Sequence, residues 1–222
     1  MIYISYIDIL EYVYHLKFGG PIEVKVSKEA MAAHREQIVT AAAKRFRECG
    51  FDGISVADIM KEVGLTHGGF YRHFSSKEEL TAAAAERAFS EIIEKLQKVA
   101  DEAPGDRLEA AVSFYLSQRH HDHPELGCPL AALGGELGRQ PAAVKHVVTE
   151  GENRMLDFLS SIAPGKTKVL RRSQAIVALA SMVGAMILAR GSSNAAFSKE
   201  VLKTIATTIP AAVDAVERKA HA

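Results

Sequence analysis

Several kinds of protein are excluded by what this sequence lacks. Its 222 residues include only two cysteines, Cys49 and Cys128, so no disulfide framework is expected. Lysine and arginine together number 27, as do aspartate and glutamate, so the net charge is zero and bulk charge would not attract a polyanion. No uncharged apolar run reaches the roughly 18 residues of a membrane span. We therefore expect a cytoplasmic protein with no membrane partner.

Motifs typical of enzymes are missing as well. There is no ordered set of nucleophile, base and acid, no glycine-rich phosphate loop and no metalloprotease motif. Strand-like alternation is scarce after residue 27, whereas alanine-rich and leucine-rich segments are frequent. These features predict an all-α protein that has no enzymatic activity and no cofactor.

Residues 55–74 have the pattern of two short helices joined by a tight turn. Ser55 is suited to cap the first helix, whose apolar positions recur at helical spacing until a glycine ends it. Thr66 is suited to cap the second helix, which carries Phe70 and Phe74 at positions i and i+4 of its inner face. The pattern predicts a helix-turn-helix. Its outer face then consists of His67, Gly68, Tyr71 and Arg72.

Four pieces of sequence occur in order around this motif. They are the helix Arg35–Gly50, the segment Phe51-Asp-Gly-Ile-Ser-Val, the segment Gly64-Leu-Thr-His-Gly-Gly-Phe-Tyr-Arg-His-Phe, and Ser76-Lys-Glu-Glu-Leu. With them, residues 27–80 resemble the DNA-binding domain of the TetR family of transcriptional repressors. A bare helix-turn-helix is a weak signal, but this ordered set, with Phe70-Tyr71 and the following Lys77, is specific. The rest of the chain resembles the family only in length and helical character.

The resemblance implies an N-terminal three-helix DNA-binding domain at 27–80 and a C-terminal helical ligand-binding and dimerisation domain at 81–222. Residues 1–26 are an atypical N-terminal extension, rich in aromatic and β-branched residues and lacking the features of a secretory signal. Two interpretations remain open for it. It is an artefact of start-site choice, with the true start near Val24 or Val26, or it is an extra strand or helix that packs on a partner.

Helical periodicity and breaker residues predict nine helices. The helix-turn-helix supplies two of them, and the expected ranges of the others are 28–49, 77–100 after a cap at Ser75-Ser76, 106–121, 129–137, 141–161, 168–190 and 198–217.

The second helix of the motif should lie in the major groove of DNA. Arg72 can offer a bidentate fork to guanine, a pairing worth about 1–3 kcal/mol of discrimination. The resemblance implies that Tyr71 and Lys77 contact phosphates, whereas His73 contacts a phosphate or is packed. Two glycines in one short helix cost about 2 kcal/mol relative to alanine, which suggests a close backbone approach to DNA. The expected DNA-binding residues are Ser55, Thr66, His67, Gly68, Gly69, Tyr71, Arg72, His73 and Lys77.

The last two predicted helices are candidates for a dimer interface. Residues 175–189 are apolar nearly all round the helix, and Ala178, Ser181, Gly184 and Ala185 would allow close helix approach. The last helix offers Val201, Ile205, Ile209, Val213 and Val216. The resemblance implies a four-helix interface in a homodimer that reads a palindromic operator, and the alternative is an ordinary intramolecular core.

The resemblance also implies a small-molecule effector bound in the C-terminal domain. The expected ligand-binding residues are Phe89, Ile93, Phe114, Tyr115, Gln118, Cys128, Leu133, Glu136, Met155, Phe158 and Met182. His120, His121 and His123 suggest a metal, but ligands so close in sequence make a poor tetrahedral set, so no metal is expected. We thus predict a ligand-responsive dimeric repressor.

Two alternatives remain. Cys128 precedes a predicted helix start, where the helix dipole favours a thiolate, so the same repressor architecture could sense electrophiles or oxidants through this residue. The simpler interpretation of Cys128 is a small buried thiol. The second alternative is a helical interaction protein that does not bind DNA.

Overall fold

The computed structural model describes residues 27–219, with the side chains of 210–212 and 214–219 left aside. The interpretations of residues 1–26 therefore lie outside the described residues. Within the described range the chain is helical and has no strand, which confirms the predicted fold class. Contacts divide the chain into two compact units, Met1–Arg35 and Glu36–Ala222. Apart from residues 28–35, which begin the first helix, the features below belong to the second unit.

Nine α-helices and two short 3₁₀ helices make up the described chain. The α-helices are α1 (Lys28–Cys49), α2 (Val56–Glu62), α3 (Lys77–Glu102), α4 (Arg107–Tyr115), α5 (Gln118–Asp122), α6 (Pro129–Leu137), α7 (Ala142–Ile162), α8 (Lys168–Arg190) and α9 (Ala195–Lys219). The 3₁₀ helices are His67–Arg72, between α2 and α3, and Pro124–Leu126, between α5 and α6.

Two helix starts differ from the prediction, in each case because a polar side chain caps the N-terminus of a helix. The single helix expected over 106–121 is divided into α4 and α5, since the Ser117 hydroxyl accepts a hydrogen bond from the His120 amide. The last helix begins three residues early, because the Asn194 side chain accepts hydrogen bonds from the amides of Ala196 and Phe197.

The C-terminal core is a layered helix packing in which α3 lies against α7, and α8 lies against α7 and α9. The long helix α3 buries a stripe at helical spacing that includes Leu80, Phe89 and Leu96. Helix α7 approaches α3 closely at Gly151, where a Cβ atom would lie 2.3 Å from the Phe89 ring. Burial of a side chain such as Phe89 stabilises the fold by about 1.5–3 kcal/mol.

Helix α8 is apolar enough, by length and composition alone, to cross a membrane. Its apolar window is 44% buried inside the protein. The core helix of a soluble protein meets the same criterion, so the finding is weak evidence for a membrane span.

Candidate nucleic-acid interface and effector site

The first helix of the motif is fixed by a reciprocal cap. The Ser55 hydroxyl accepts a hydrogen bond from the Asp58 amide at 3.1 Å, and the Asp58 carboxylate accepts one from the Ser55 amide at 3.4 Å. The Ser55 hydroxyl also donates to the Asp58 carboxylate, and this bond, together with the one from the Ser55 amide, lowers the pKa of Asp58. The following turn passes through Gly64, whose φ of 74° lies in the left-handed region that glycine favours.

The second helix of the motif is a 3₁₀ helix, not the predicted α-helix. The carbonyl of Thr66 accepts a hydrogen bond from the Gly69 amide at 2.9 Å, but the Thr66 side chain makes no capping bond. The segment His67–Arg72 is only six residues long and contains two glycines of low helix propensity. A short segment of this kind favours the tighter i to i+3 pattern.

Two stacked phenylalanines anchor this segment to the protein. Phe70 and Phe74 are each 2% exposed, and their ring centroids are 5.5 Å apart. Tyr71 lies edge-on to Phe70, with its own side chain 68% exposed. His67, Gly68 and Arg72 are also exposed, whereas His73 is half-buried. The predicted inner and outer faces are therefore present although the helix type differs.

Lys77, at the start of α3, lies against the loop between α1 and α2. Its ammonium donates to the carbonyls of Phe51 at 2.7 Å and Ile54 at 3.5 Å. The Asp52 carboxylate is 3.9 Å away. Lys77 thus holds this loop in the described structure, and its contact with a phosphate stays a prediction.

Two polar contacts join this region directly to the C-terminal helices. Arg47 of α1 is buried, and its guanidinium donates to the Gly127 carbonyl at 2.9 Å and to the Glu91 carboxylate of α3 at 2.7 Å. Glu136 of α6 accepts a hydrogen bond from the Phe51 amide at 2.9 Å. Glu136 was expected to bind ligand, and the structure places its carboxylate at the end of α1.

The other expected ligand-binding residues do not converge on one cavity. Most are packed in the core with little exposure, namely Phe89, Tyr115, Cys128, Leu133, Met155 and Met182. Ile93 and Phe158 border a shallow surface cleft, and Gln118 is exposed and donates to Asp122. Phe114 alone of the set lines the cavity described next.

A cavity of about 210 Å³ lies between α3, α4, α5 and the Pro124–Leu126 turn. Its lining residues are Ile92, Lys95, Phe114, Ser117, Arg119, His120, His123 and Leu126. Sequence reasoning missed Ile92, Lys95, Ser117 and Leu126. Ile92 and Lys95 lie at positions i and i+3, which places both on one side of α3. This spacing is the one sequence signal that could have identified them.

His120 forms part of the cavity wall as a neutral imidazole. Its Nε2 accepts a hydrogen bond from the Cys128 amide at 3.0 Å, so the proton lies on Nδ1, which donates to the Tyr115 carbonyl at 2.6 Å. Burial lowers the pKa of His120 to about 4. Arg190, at the end of α8, donates to the carbonyls of His120 and His121 and so holds α5 in place.

The structure contradicts the expectation of a thiolate at Cys128. The residue does precede α6, but its side chain is fully buried and burial raises the pKa of the thiol. Hydrogen bonds from Tyr115 and from the amides of Leu130 and Ala131 lower the pKa of the thiol, but by less than burial raises it. Desolvation therefore outweighs the helix dipole, and the neutral thiol is the favoured form.

The neighbouring histidines have separate partners. His121 contacts Asp122 at 2.8 Å, and His123 contacts Glu125 at 3.1 Å. Across residues 27–219, no group of three or more histidine, cysteine, aspartate or glutamate side chains is arranged to hold a metal ion.

Comparison with known proteins identifies the family. Residues 38–84, which include the helix-turn-helix, match the family model described as bacterial regulatory proteins, tetR family. This helix-turn-helix segment belongs to the TetR family.

Two curated relatives of this chain are bacterial regulators. The uncharacterised HTH-type regulator YfiR of Bacillus subtilis is 33% identical over 94 residues, or 42% of this chain and 44% of YfiR. The HTH-type transcriptional repressor NemR of Escherichia coli is 22% identical over 129 residues, or 57% of this chain and 65% of NemR. The chain spans less than half the length of YfiR and of YvdT, another Bacillus subtilis regulator that it matches.

Solved structures share the fold over about four fifths of this chain. The reduced form of Escherichia coli NemR matches with a TM-score of 0.67 at 19% identity, over 80% of this chain and 95% of that one. A TetR regulator from Chloroflexus aurantiacus matches with a TM-score of 0.68 at 24% identity, over 82% and 96% of the two chains.

Proposed function

We propose that this TetR-family regulator is a dimeric repressor that binds a palindromic operator and is released by a small molecule. The observation that supports DNA binding most directly is the contrast between the two faces of His67–Arg72. Phe70 is buried on one face, while Tyr71 and Arg72 stand exposed on the other. Large exposed side chains on a rigidly anchored segment suit insertion into a groove.

The proposed DNA contacts divide by chemistry. Arg72 reads a guanine through its planar fork, while Tyr71 and Lys77 bind phosphates. The backbone of Gly68 approaches the DNA closely. A Cβ atom at this position would meet nothing within 4 Å in the free protein. Internal packing therefore gives no reason for a glycine at this position. Ser55, Thr66, His67, Gly69 and His73 complete the proposed set.

The proposed dimer interface uses the outer faces of α8 and α9. The structure places Ala178, Ala185, Ile209 and Val213 in the intramolecular core, and the side chain of Val216 is not described. Ser181 and Gly184 are partly exposed on α8 and lie in line with Leu188, which is 60% exposed. On α9, Phe197, Val201 and Ile205 are at least partly exposed. A two-fold dimer of this kind would place two recognition segments about 34–36 Å apart on DNA.

The cavity between α3 and α5 is the proposed effector site. Lys95 in its wall donates to the Leu126 carbonyl at 2.8 Å, and the next residue, Gly127, accepts from Arg47 of α1. A ligand that moves the Pro124–Leu126 turn would thus act on the helix that supports the DNA-binding surface. The ligand must bind the non-operator conformation more tightly, because equal affinity for two conformations shifts neither.

Operator binding is tested by fluorescence anisotropy with palindromic DNA selected by the protein from a random pool. Tyr71→Ala and Arg72→Ala should abolish specific binding and leave dimerisation unchanged. Arg107→Ala is the matched control, since Arg107 lies beyond the far end of the 26-residue α3, about 39 Å from its start. Unchanged binding by the Tyr71 and Arg72 variants, or failure to select any DNA, would defeat the proposal.

A further inference from the structure

The cavity beside α3 combines an apolar wall with cationic groups. Ile92, Phe114 and Leu126 form the apolar part, and Lys95 and Arg119 carry the positive charge. Its volume of about 210 Å³ is below the roughly 300–1,000 Å³ of sites for drug-sized ligands. The space therefore suits a single ring or a short chain.

The charges around Lys95 are unbalanced toward the positive. Burial lowers the pKa of Lys95, and the neighbouring Arg47 and Arg119 add to the effect. The carboxylates of Glu91 and Glu125 raise the pKa of Lys95. Each of them has another partner, because Glu91 lies 2.7 Å from Arg47 and Glu125 lies 3.1 Å from His123. The ammonium itself donates to a neutral carbonyl, that of Leu126. An added anion would relieve the mutual repulsion of these cations.

The remaining groups that face the cavity do not favour a cationic ligand. His120 is a neutral imidazole whose two nitrogens are both occupied by backbone groups. Ser117 is an uncharged donor and acceptor. His123 contacts Glu125. A cationic ligand would find no carboxylate among the lining residues and would be repelled by Lys95 and Arg119.

We propose that this cavity binds a small amphipathic monoanion, a single-ring or short-chain carboxylate. Its carboxylate pairs with Lys95 and Arg119, and its apolar part packs against Ile92, Phe114 and Leu126. The inference rests on the proposed function in that it names the chemical class of the effector. A carboxylate that pairs with Lys95 competes with the Leu126 carbonyl for the same ammonium, next to the Gly127 carbonyl held by Arg47.

The test is calorimetric titration of the full chain, without DNA, with benzoate, phenylacetate and hexanoate. Benzamide, phenylacetamide and hexanamide are neutral controls of almost the same shape. We expect saturable binding of at least one carboxylate and at least tenfold weaker binding of its amide. Lys95→Gln and Arg119→Gln should each weaken carboxylate binding about tenfold, the loss of about 1.4 kcal/mol from one charged contact.

Lys98→Gln is the matched control for Lys95, because Lys98 lies one turn further along α3 and pairs with the exposed Glu102. It should bind the carboxylate like the unmodified protein. Arg119 is exposed, so its variant keeps the test valid if Lys95→Gln fails to fold. Absence of binding by all three carboxylates, equal binding of acid and amide, or equal effects at Lys95 and Lys98 would overturn the inference.

The inference and the proposed function fail in different ways. A carboxylate that binds with the expected variant pattern but leaves the operator complex intact supports the ligand class and refutes the effector role. An operator complex that forms normally while no carboxylate binds supports the DNA-binding role and refutes the ligand class.

Discussion

At the scale of single residues, two glycines of the motif are explained by different physical reasons. Gly64 has a φ of 74°, so its place in the turn depends on the freedom of glycine. Gly68 has neither a positive φ nor a neighbour within 4 Å of an added Cβ. One glycine therefore serves the fold, and we assign the other to the approach of DNA.

Gly68→Ala should separate stability from DNA binding. Alanine at this position should leave the free energy of unfolding unchanged or raise it by up to about 1 kcal/mol, because helix propensity improves and no clash arises. Operator affinity should fall, because the added methyl group would lie against the DNA. Gly105→Ala is the control, since its Cβ also meets open space, beyond the far end of α3. Undiminished affinity of the Gly68 variant would remove the argument for close backbone approach.

His120 should make stability depend on pH. Its folded-state pKa of about 4 lies below the ordinary 6.5, so the unfolded chain binds the proton more readily. The contribution of the neutral imidazole to the unfolding free energy is complete above pH 6.5. It is lost as the pH falls toward 4, and the total loss is about 3 kcal/mol. Urea unfolding at pH 7.5 and 4.5 measures the loss.

The contribution of His120 is isolated by comparing variants. His120→Gln should reduce the change in unfolding free energy between pH 7.5 and 4.5, while His146→Gln should not, because His146 is exposed on α7. Identical pH dependence in the two variants would show that the His120 ring is not the group responsible.

At the scale of helices, boundaries set by local chemistry were predictable, and contacts between distant segments were not. The cap of α2 at Ser55 and that of α3 at Ser76 are visible in sequence and are confirmed by their hydrogen bonds. The break at Ser117 was missed because the preceding apolar residues continue the helical spacing. The cavity could not be derived, since Lys95 and Leu126 lie 31 residues apart and meet only through packing.

Arg47 is the contact between helices whose loss should be most damaging. Arg47→Met leaves the Gly127 carbonyl and the partly buried Glu91 without their partner, so the unfolding free energy should fall by about 3 kcal/mol. Arg45→Met is the control on the same helix. Arg45 pairs with Glu48 and Glu62 near the surface, where ion pairs contribute about 1 kcal/mol or less. Equal losses of unfolding free energy in the two variants, measured by denaturant unfolding, would contradict the role of Arg47 in joining α1 to α3 and to the Gly127 carbonyl.

At the scale of the whole molecule, the inner and outer faces of α8 and α9 differ in their packing. The inner faces of α8 and α9 fill the core through residues such as Ala178 and Ile209, which explains why apolar character all round α8 did not by itself identify an interface. The outer faces retain apolar groups such as Leu188 and Phe197, which are 60% and 43% exposed. Exposed apolar groups gathered on adjacent helices are typical of a protein interface.

Leu188→Glu should dissociate the dimer without unfolding the protomer. The side chain is exposed in the single chain, so the protomer loses little, whereas a carboxylate buried opposite an apolar partner costs several kcal/mol. Val169→Glu is the matched control, because Val169 is 79% exposed near the start of the same helix, outside the proposed interface. Sedimentation equilibrium should show a monomer for the first variant and a dimer for the second. Because a monomer presents one recognition segment, the first variant should also lose its preference for a palindrome over a single half-site. A dimer that survives Leu188→Glu would place the interface on another surface.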